Sequence, residues 1–220
     1  MNLGHRNILF DLDGTLTDPR EGITRSIQYA LGKLGIDEPD LAKLEHFIGP
    51  PLLQAFMQFY GLSEAKAWEA VNHYRDRFRV TGLYENEVFE GVTELLETLV
   101  AQGRHLYIAT SKPWEFAREI ARHFNFARHF KVIYGSELDG TRTNKVDLIA
   151  HLLEQERLEP AQTLMIGDRK HDLIGARANG LDCVAVGYGF GSEAELLGET
   201  PTYHFATLKA LHQAFSPPRA

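Results

Sequence analysis

Cysteine is nearly absent. Cys183 is the only one in 220 residues, so no intramolecular disulfide can form, which argues against a disulfide-built secreted scaffold. No apolar run approaches the roughly 18 residues of a membrane-crossing helix. Only Met1 to Arg6 precede the first apolar stretch, too few for a secretory leader. These absences lead to the expectation of a cytoplasmic protein with no membrane partner. Positive charge is also short: 23 Lys and Arg stand against 30 Asp and Glu, giving −7 with His neutral, and the ten histidines are scattered. A protein that lives on a phosphate backbone needs a clustered basic face, so nucleic acid is not an expected partner. Repeats and low-complexity segments are missing too. What is there is an ordinary globular composition, 44% hydrophobic and 24% charged, long enough to bury a core without staples. By length it is one domain with an insertion or two small ones.

Apolar periodicity carries the architecture. Short runs at Ile8-Leu9-Phe10, His105 to Ala109, Val132 to Tyr134, Thr163 to Ile166 and Cys183 to Val186 are mostly apolar on both faces, as buried parallel strands are. Helical stripes lie between them: Val92, Leu95, Leu96 and Leu99; then Val146, Ile149, Leu152 and Leu153. Pro113 reads as a first helical residue before Phe116 and Ile120. Strands alternating with helices predict a doubly wound, Rossmann-like α/β parallel sheet with right-handed crossovers. One interval breaks the rhythm. About 80 residues separate the first strand from the next βα unit near Gly91, and they read as helix throughout. Residues 1–15 and 85–220 are therefore expected to form the α/β core, with 16–84 an inserted helical cap. Placed directly after strand one, the cap is expected over the carboxyl ends of the strands, where ligands bind in open α/β sheets.

Chemistry-bearing residues sit at strand ends and helix starts. Asp11-Leu12-Asp13-Gly14-Thr15 closes the first strand, and two aspartates at i and i+2 can share a site as the chain turns at Gly14. The bland alternative is an Asx-rich turn. Thr110-Ser111-Lys112-Pro113 offers a hydroxyl and helix-start N–H groups to an anion, though Ser or Thr there is usually only a cap. Lys145 opens a helical stripe, where a lysine is ordinarily a solvated charge, slightly disfavoured by the macrodipole. Gly167-Asp168-Arg169-Lys170-His171-Asp172 places Asp168 at a strand end and Asp172 one turn later. All four pieces fall on one edge of the expected sheet. Asp11, Asp13, Asp168 and Asp172 would crowd four carboxylates together, and like charges repel and raise pKa values unless a cation intervenes. A hard divalent ion does so, and Mg²⁺ suits few carboxylates plus water and substrate phosphate.

Taken in order, Asp11-Leu12-Asp13-Gly14-Thr15, Thr110, Lys145 and Gly167-Asp168 with Asp172 resemble the four motifs of the haloacid dehalogenase superfamily. The resemblance covers nearly the whole chain, including the helical cap. Gly135-Ser136-Glu137-Leu138-Asp139-Gly140-Thr141-Arg142 and Phe47-Ile48-Gly49-Pro50-Pro51-Leu52 are similar to a phosphoglycolate phosphatase-like and 5′-nucleotidase-like subgroup. The resemblance implies an Mg²⁺-dependent phosphomonoesterase. Asp11 would be the nucleophile that forms an aspartyl-phosphate. Asp13 would protonate the leaving oxygen and later deprotonate the attacking water. Thr110 and Lys145 would hold the phosphoryl oxygens, with Ser111 alongside. Mg²⁺ would be bound by Asp11, the Asp13 carbonyl and Asp168, with Asp172 orienting the site. Nucleoside 5′-monophosphates are the first expected substrates and phosphoglycolate the second; a small phosphorylated metabolite is the expected partner, and the protein a monomer or homodimer.

Specificity is expected in the cap. The loop Ile48-Gly49-Pro50-Pro51, stiffened by two prolines, would close over substrate, with Arg20 or Arg25 nearby and Arg142 a further candidate for an anionic group. Phe56, Phe59, Tyr60 and Trp68 at helical spacing read as cap core rather than a base-stacking surface. Asp13 disfavours carbon–halogen and carbon–phosphorus cleavage. A sugar-phosphate mutase shares both aspartates and stays open. A receiver-type phospho-acceptor module, which has no helical insert and no late Gly-Asp-x-x-x-Asp, or a non-catalytic binding protein would show no turnover.

Overall fold

The computed structural model describes residues 3–216; the first two residues and the proline-rich tail beyond Ser216 lie outside them. In chain order, β1 (Asn7–Phe10) and the short β2 (Thr17–Asp18) precede α1 (Arg20–Lys33), α2 (Leu52–Tyr60) and α3 (Glu64–Arg77). The short β3 (Glu87–Val88) leads into α4 (Val92–Ala101), β4 (His105–Pro113), α5 (Trp114–His123), β5 (Val132–Ser136) and α6 (Lys145–Glu156). β6 (Thr163–Gly167), α7 (Lys170–Ala178), β7 (Asp182–Val186), α8 (Glu193–Gly198), β8 (Tyr203–Phe205) and α9 (Leu208–Phe215) complete the chain.

Six strands form one sheet in the order β5-β4-β1-β6-β7-β8, and every neighbouring pair runs parallel. Parallel strands need crossovers that cover both faces with helices. That is why β1 is apolar throughout, with Ile8, Leu9 and Phe10 at most 1% exposed. On one face, Leu9, Ala109, Met165 and Cys183 pack against Leu148, Ile149 and Leu152 of α6 and Leu173 and Ala176 of α7. β1 lies between β4 and β6, with Phe10 level with both Ile108 and Ile166. The strand order reverses at β1, so the loops after β1 and its neighbours diverge and leave a crevice at their carboxyl ends.

Two local expectations need correction. β4 does not stop at Ala109 but runs to Pro113, with an irregularity in its pairing between Thr110 and Pro113. Pro113 is accordingly the extended residue before α5 (ψ 130°), and Trp114 is the first helical one. A Pro with no N–H to donate suits the end of that irregular strand as well as a helix start.

The chain packs as two units: one comprises everything up to Thr17 and from Val88 onward, the other Asp18–Glu87. The second unit is helical. Ile23, Ile27 and Leu31 form one buried stripe of α1, and Ala67, Ala70, Val71 and Tyr74 one of α3. Phe47 and Phe56 pack at 5.0 Å between ring centroids, and Tyr74 stacks on Phe78 at 5.0 Å. Phe56 is buried, whereas Phe59 is 39% exposed, so that aromatic set is only partly core. Among the described residues no helix is long and apolar enough to cross a membrane.

Candidate active site

The chain leaves β1 straight into the acidic motif. Asp11 prolongs the ladder, its N–H donating to the Ile166 carbonyl at 2.9 Å. Beyond it the backbone folds back: the Leu12 carbonyl accepts from Leu16 N–H at 2.9 Å and Thr17 N–H at 3.1 Å. Gly14 makes that turn with φ +83°, and a Cβ there would lie 2.1 Å from Asp168 Oδ2. Only glycine meets both demands. Asp11 and Asp13 are 5% and 8% exposed, so both carboxylates have left bulk water.

β4 contributes the next pieces. Thr110 is buried, and its hydroxyl oxygen accepts from Lys112 N–H at 3.3 Å. Because the strand continues past Ala109, Lys112 is carried inward. It is 9% exposed and its Nζ lies 2.8 Å from Asp13 Oδ2. The Asp13 Oδ1 is buried with no hydrogen-bond partner. Burial raises the Asp13 pKa more than the Lys112 ammonium lowers it. Ser111 turns elsewhere, its hydroxyl donating to the Thr143 carbonyl at 3.0 Å.

Lys145 is the first residue of α6, yet it is 4% exposed rather than solvated. Asn144 caps the helix by accepting from Val146 N–H at 2.8 Å, which fixes where α6 begins. Lys145 Nζ donates to the Ala109 carbonyl at 2.7 Å and to Asp172 Oδ1 at 2.5 Å, and lies 2.9 Å from Asp11 Oδ1. Burial alone would lower its pKa, but Asp11 and Asp172 outweigh that and raise it. The ammonium therefore stays charged.

Asp168 follows β6 and is fully buried; its Oδ2 accepts from Phe190 N–H at 2.8 Å and its Oδ1 from the Thr15 hydroxyl at 3.4 Å. Asp172 closes the first turn of α7, with Oδ2 accepting from Arg169 N–H at 3.2 Å. Arg169 is itself held by Glu195 of α8 at 2.9 Å. The loop after β7 grips Asp168 closely: a Cβ on Gly189 would lie 2.4 Å from its carboxylate, and one on Gly191 2.0 Å from its carbonyl oxygen. Lys112, Thr15, Glu195 and this glycine loop were not singled out from sequence. The run Gly187-Tyr188-Gly189-Phe190-Gly191 directly after a strand was the available signal.

Oxygens of Asp11, Asp168 and Asp172 lie within 4.8 Å of one another, all three residues buried. Burial and the neighbouring charges of Asp11 and Asp172 push the Asp168 pKa well up. Burial also raises Asp172; Lys145 pulls it back and Asp11 raises it again, leaving it about 6. Three carboxylates facing one ammonium form an oxygen-only donor set with surplus negative charge, which fits a hard divalent cation.

Other sequence candidates stand differently. Arg142, at φ +60°, pairs with Glu137, which also accepts from Trp114 Nε1 at 3.0 Å. Arg20, Arg25, Gly49 and Pro50 belong to the helical unit. There Arg20 pairs with Glu45 at 3.2 Å, Arg25 with Glu21 at 2.9 Å, and Gly49 takes φ +105°.

The haloacid dehalogenase-like hydrolase family matches residues 8–186. The chain is 72% identical over 211 residues to a 5′-nucleotidase of Pseudomonas aeruginosa, covering 96% of each. It is 42% identical to the tyrosine-protein kinase PtkA of Mycobacterium tuberculosis, over 94% of this chain and 71% of that one. Among solved structures, a predicted phosphatase from Clostridium acetobutylicum superposes with a TM-score of 0.93 at 44% identity, over 95% of this chain and 97% of that one. A parallel sheet that brings Asp11, Thr110 and Asp168 to the carboxyl side of its strands, with Lys145 supplied by the start of α6, matched by a family along most of its length, places this chain among the haloacid dehalogenase-like hydrolases.

Proposed function

We propose that this phosphomonoesterase removes phosphate from nucleoside 5′-monophosphates, through attack of Asp11 on phosphorus and with Mg²⁺ held by Asp11, Asp168 and Asp172. The observation that carries the chemistry is the buried cluster in which Lys145 Nζ lies 2.9 Å from Asp11 and 2.5 Å from Asp172. The substrate class is supported by the 72% identity to a 5′-nucleotidase.

The Asp11 carboxylate oxygen forms a bond to phosphorus as the ester O–P bond breaks in line, leaving an aspartyl-phosphate. The departing alkoxide takes a proton from Asp13, and the raised pKa of that carboxyl favours the protonated form this step needs. Water then attacks the acyl phosphate, gives its proton back to Asp13, and releases phosphate with Asp11 restored. Lys112 holds Asp13 in place through the 2.8 Å contact. Lys145 fixes the rotamer of Asp11 and offers its ammonium to phosphoryl oxygens, alongside Thr110. A bound Mg²⁺ would shield the charge between Asp11 and the phosphate dianion; the Asp13 carbonyl is its fourth protein ligand in this reading. Arg142, Ser111, Arg20, Gly49 and Pro50 are assigned to substrate choice, and Arg142 and Arg20 would first have to leave Glu137 and Glu45.

A phosphate-release screen across nucleoside 5′-monophosphates, sugar phosphates and phosphoglycolate tests the substrate class. A kcat/KM at least about tenfold higher for a nucleotide is expected, and a preference for phosphoglycolate overturns it. Asp11→Asn should remove turnover while circular dichroism stays unchanged, and substantial residual activity refutes the nucleophile. Asp13→Asn should lose about 10²–10⁴ in rate.

A further inference from the structure

The opposite edge of the same sheet has a cavity that the catalytic reading leaves unused. It opens where β1 and β4 begin, at Asn7 and His105, and has a volume of about 410 Å³. Asn7 stands four residues before Asp11, about 13 Å along the strand at ~3.3 Å per residue, so the two sites lie at opposite ends of β1.

Three cations line it, Arg6, Lys131 and Arg157. None makes an ion pair within the described residues. Their charges converge: burial lowers the His105 pKa, and Lys131 and Arg6 lower it further. Tyr107 also lines the cavity. It is 2% exposed, and its hydroxyl has no hydrogen bond within the described residues. Asn7 is 5% exposed and spends its amide nitrogen on the Thr163 hydroxyl at 3.4 Å. On the remaining wall stand Glu156, which accepts from the Tyr134 hydroxyl at 2.8 Å, and Glu159.

A solvated surface accounts for scattered cations, but three of them here share the lining of one cavity with a tyrosine whose ring is buried in the sheet. Unpaired cations beside one another repel, and an anion relieves them as a cation relieves crowded carboxylates. Guanidinium forks match phosphate oxygens in pairs. The two carboxylates are of no use to a bare anion but can accept from ligand hydroxyls or an amine. The volume falls in the usual range for small-molecule sites, about 300–1,000 Å³. We propose that this cavity is a second ligand site, for a phosphate-bearing molecule of about mononucleotide size held through its phosphate by Arg6, Lys131 and Arg157.

The test is a ¹H–¹⁵N NMR titration of the full chain with adenosine 5′-(α,β-methylene)diphosphate, which carries no phosphomonoester to hydrolyse, with adenosine and inorganic phosphate as controls. Saturable shifts are expected at the amides of Asn7, His105 and Arg157. The double variant Arg6→Ala/Lys131→Ala alters two exposed side chains and should keep the wild-type circular dichroism. Its Kd at these amides should be at least tenfold weaker, with the responses of Asp11 and Thr110 unaltered. Shifts confined to Asp11 and Thr110, an equal response to adenosine, or an unchanged Kd in the double variant would overturn the site. Inorganic phosphate binding as tightly as the nucleotide analogue would overturn the ligand size.

Discussion

Several charged side chains in the helical unit find partners nearby in the sequence: Arg25 with Glu21 and Lys66 with Glu69 in the open, and Arg77 with Glu85 partly buried. Lys66 and Glu69 remain 59% and 45% exposed. In the α/β unit the decisive pairs join residues far apart in the chain, Lys145 with Asp11 and Lys112 with Asp13, and the first of these is 3% and 7% exposed. Exposed pairs contribute about 0.2–1 kcal/mol and are readily replaced. Buried ones cost desolvation on both sides and are weak evidence of stability. Four carboxylates and two ammonium groups kept in a dry crevice, where apolar residues would pack at lower cost, therefore point to chemistry.

The strongest way to break this contrast is Lys145→Met. Removing the ammonium leaves Asp11 and Asp172 buried and facing each other, so turnover should fall by about 10² or more, and stability in EDTA by about 3 kcal/mol. Urea denaturation checks the second; an unchanged midpoint would mean the cluster is better solvated than its burial indicates.

A smaller effect comes from pH. The Asp172 pKa is about 6 in the fold against about 3.9 in an unfolded chain. Without a cation its contribution to stability is complete below about 4 and is lost as pH rises through about 6. Asp168 is raised in the same direction. A divalent cation favours the ionised carboxylates, so the increase in Tm on adding Mg²⁺ should be larger at pH 7.5 than at pH 5. An increment independent of pH would sever these carboxylates from cation binding.

Smallest is Glu69→Gln in the helical unit, expected to leave the urea midpoint where it is, since this pair is exposed and screened by water. A fall in midpoint comparable to that of Lys145→Met in the same urea experiment would erase the distinction between the two kinds of pair.

Much of the α/β site was legible because its elements are local. An apolar run followed by Asp11-x-Asp13-Gly14, and another followed by Gly167-Asp168, announce strand ends that carry acid groups, and parallel topology puts strand ends on one edge. Lys112 was harder to read, since its approach to Asp13 depends on β4 continuing through an irregular pairing to Pro113. Lys145 reads as solvated at a helix start, and only the packing of α6 against the sheet buries it. β8 is three residues long and only partly buried, too short for periodicity to show.

The order of the five longer strands, the acidic motifs and their strand-end positions follow from the amino-acid sequence, because hydrophobic periodicity and turn residues act over a few positions. Which lysine meets which aspartate, how closely Gly189 and Gly191 lie on Asp168, and which cations surround the cavity at the far edge were settled by tertiary structure. Those depend on distances between segments separated by up to a hundred residues or more, and nothing local in the chain specifies them.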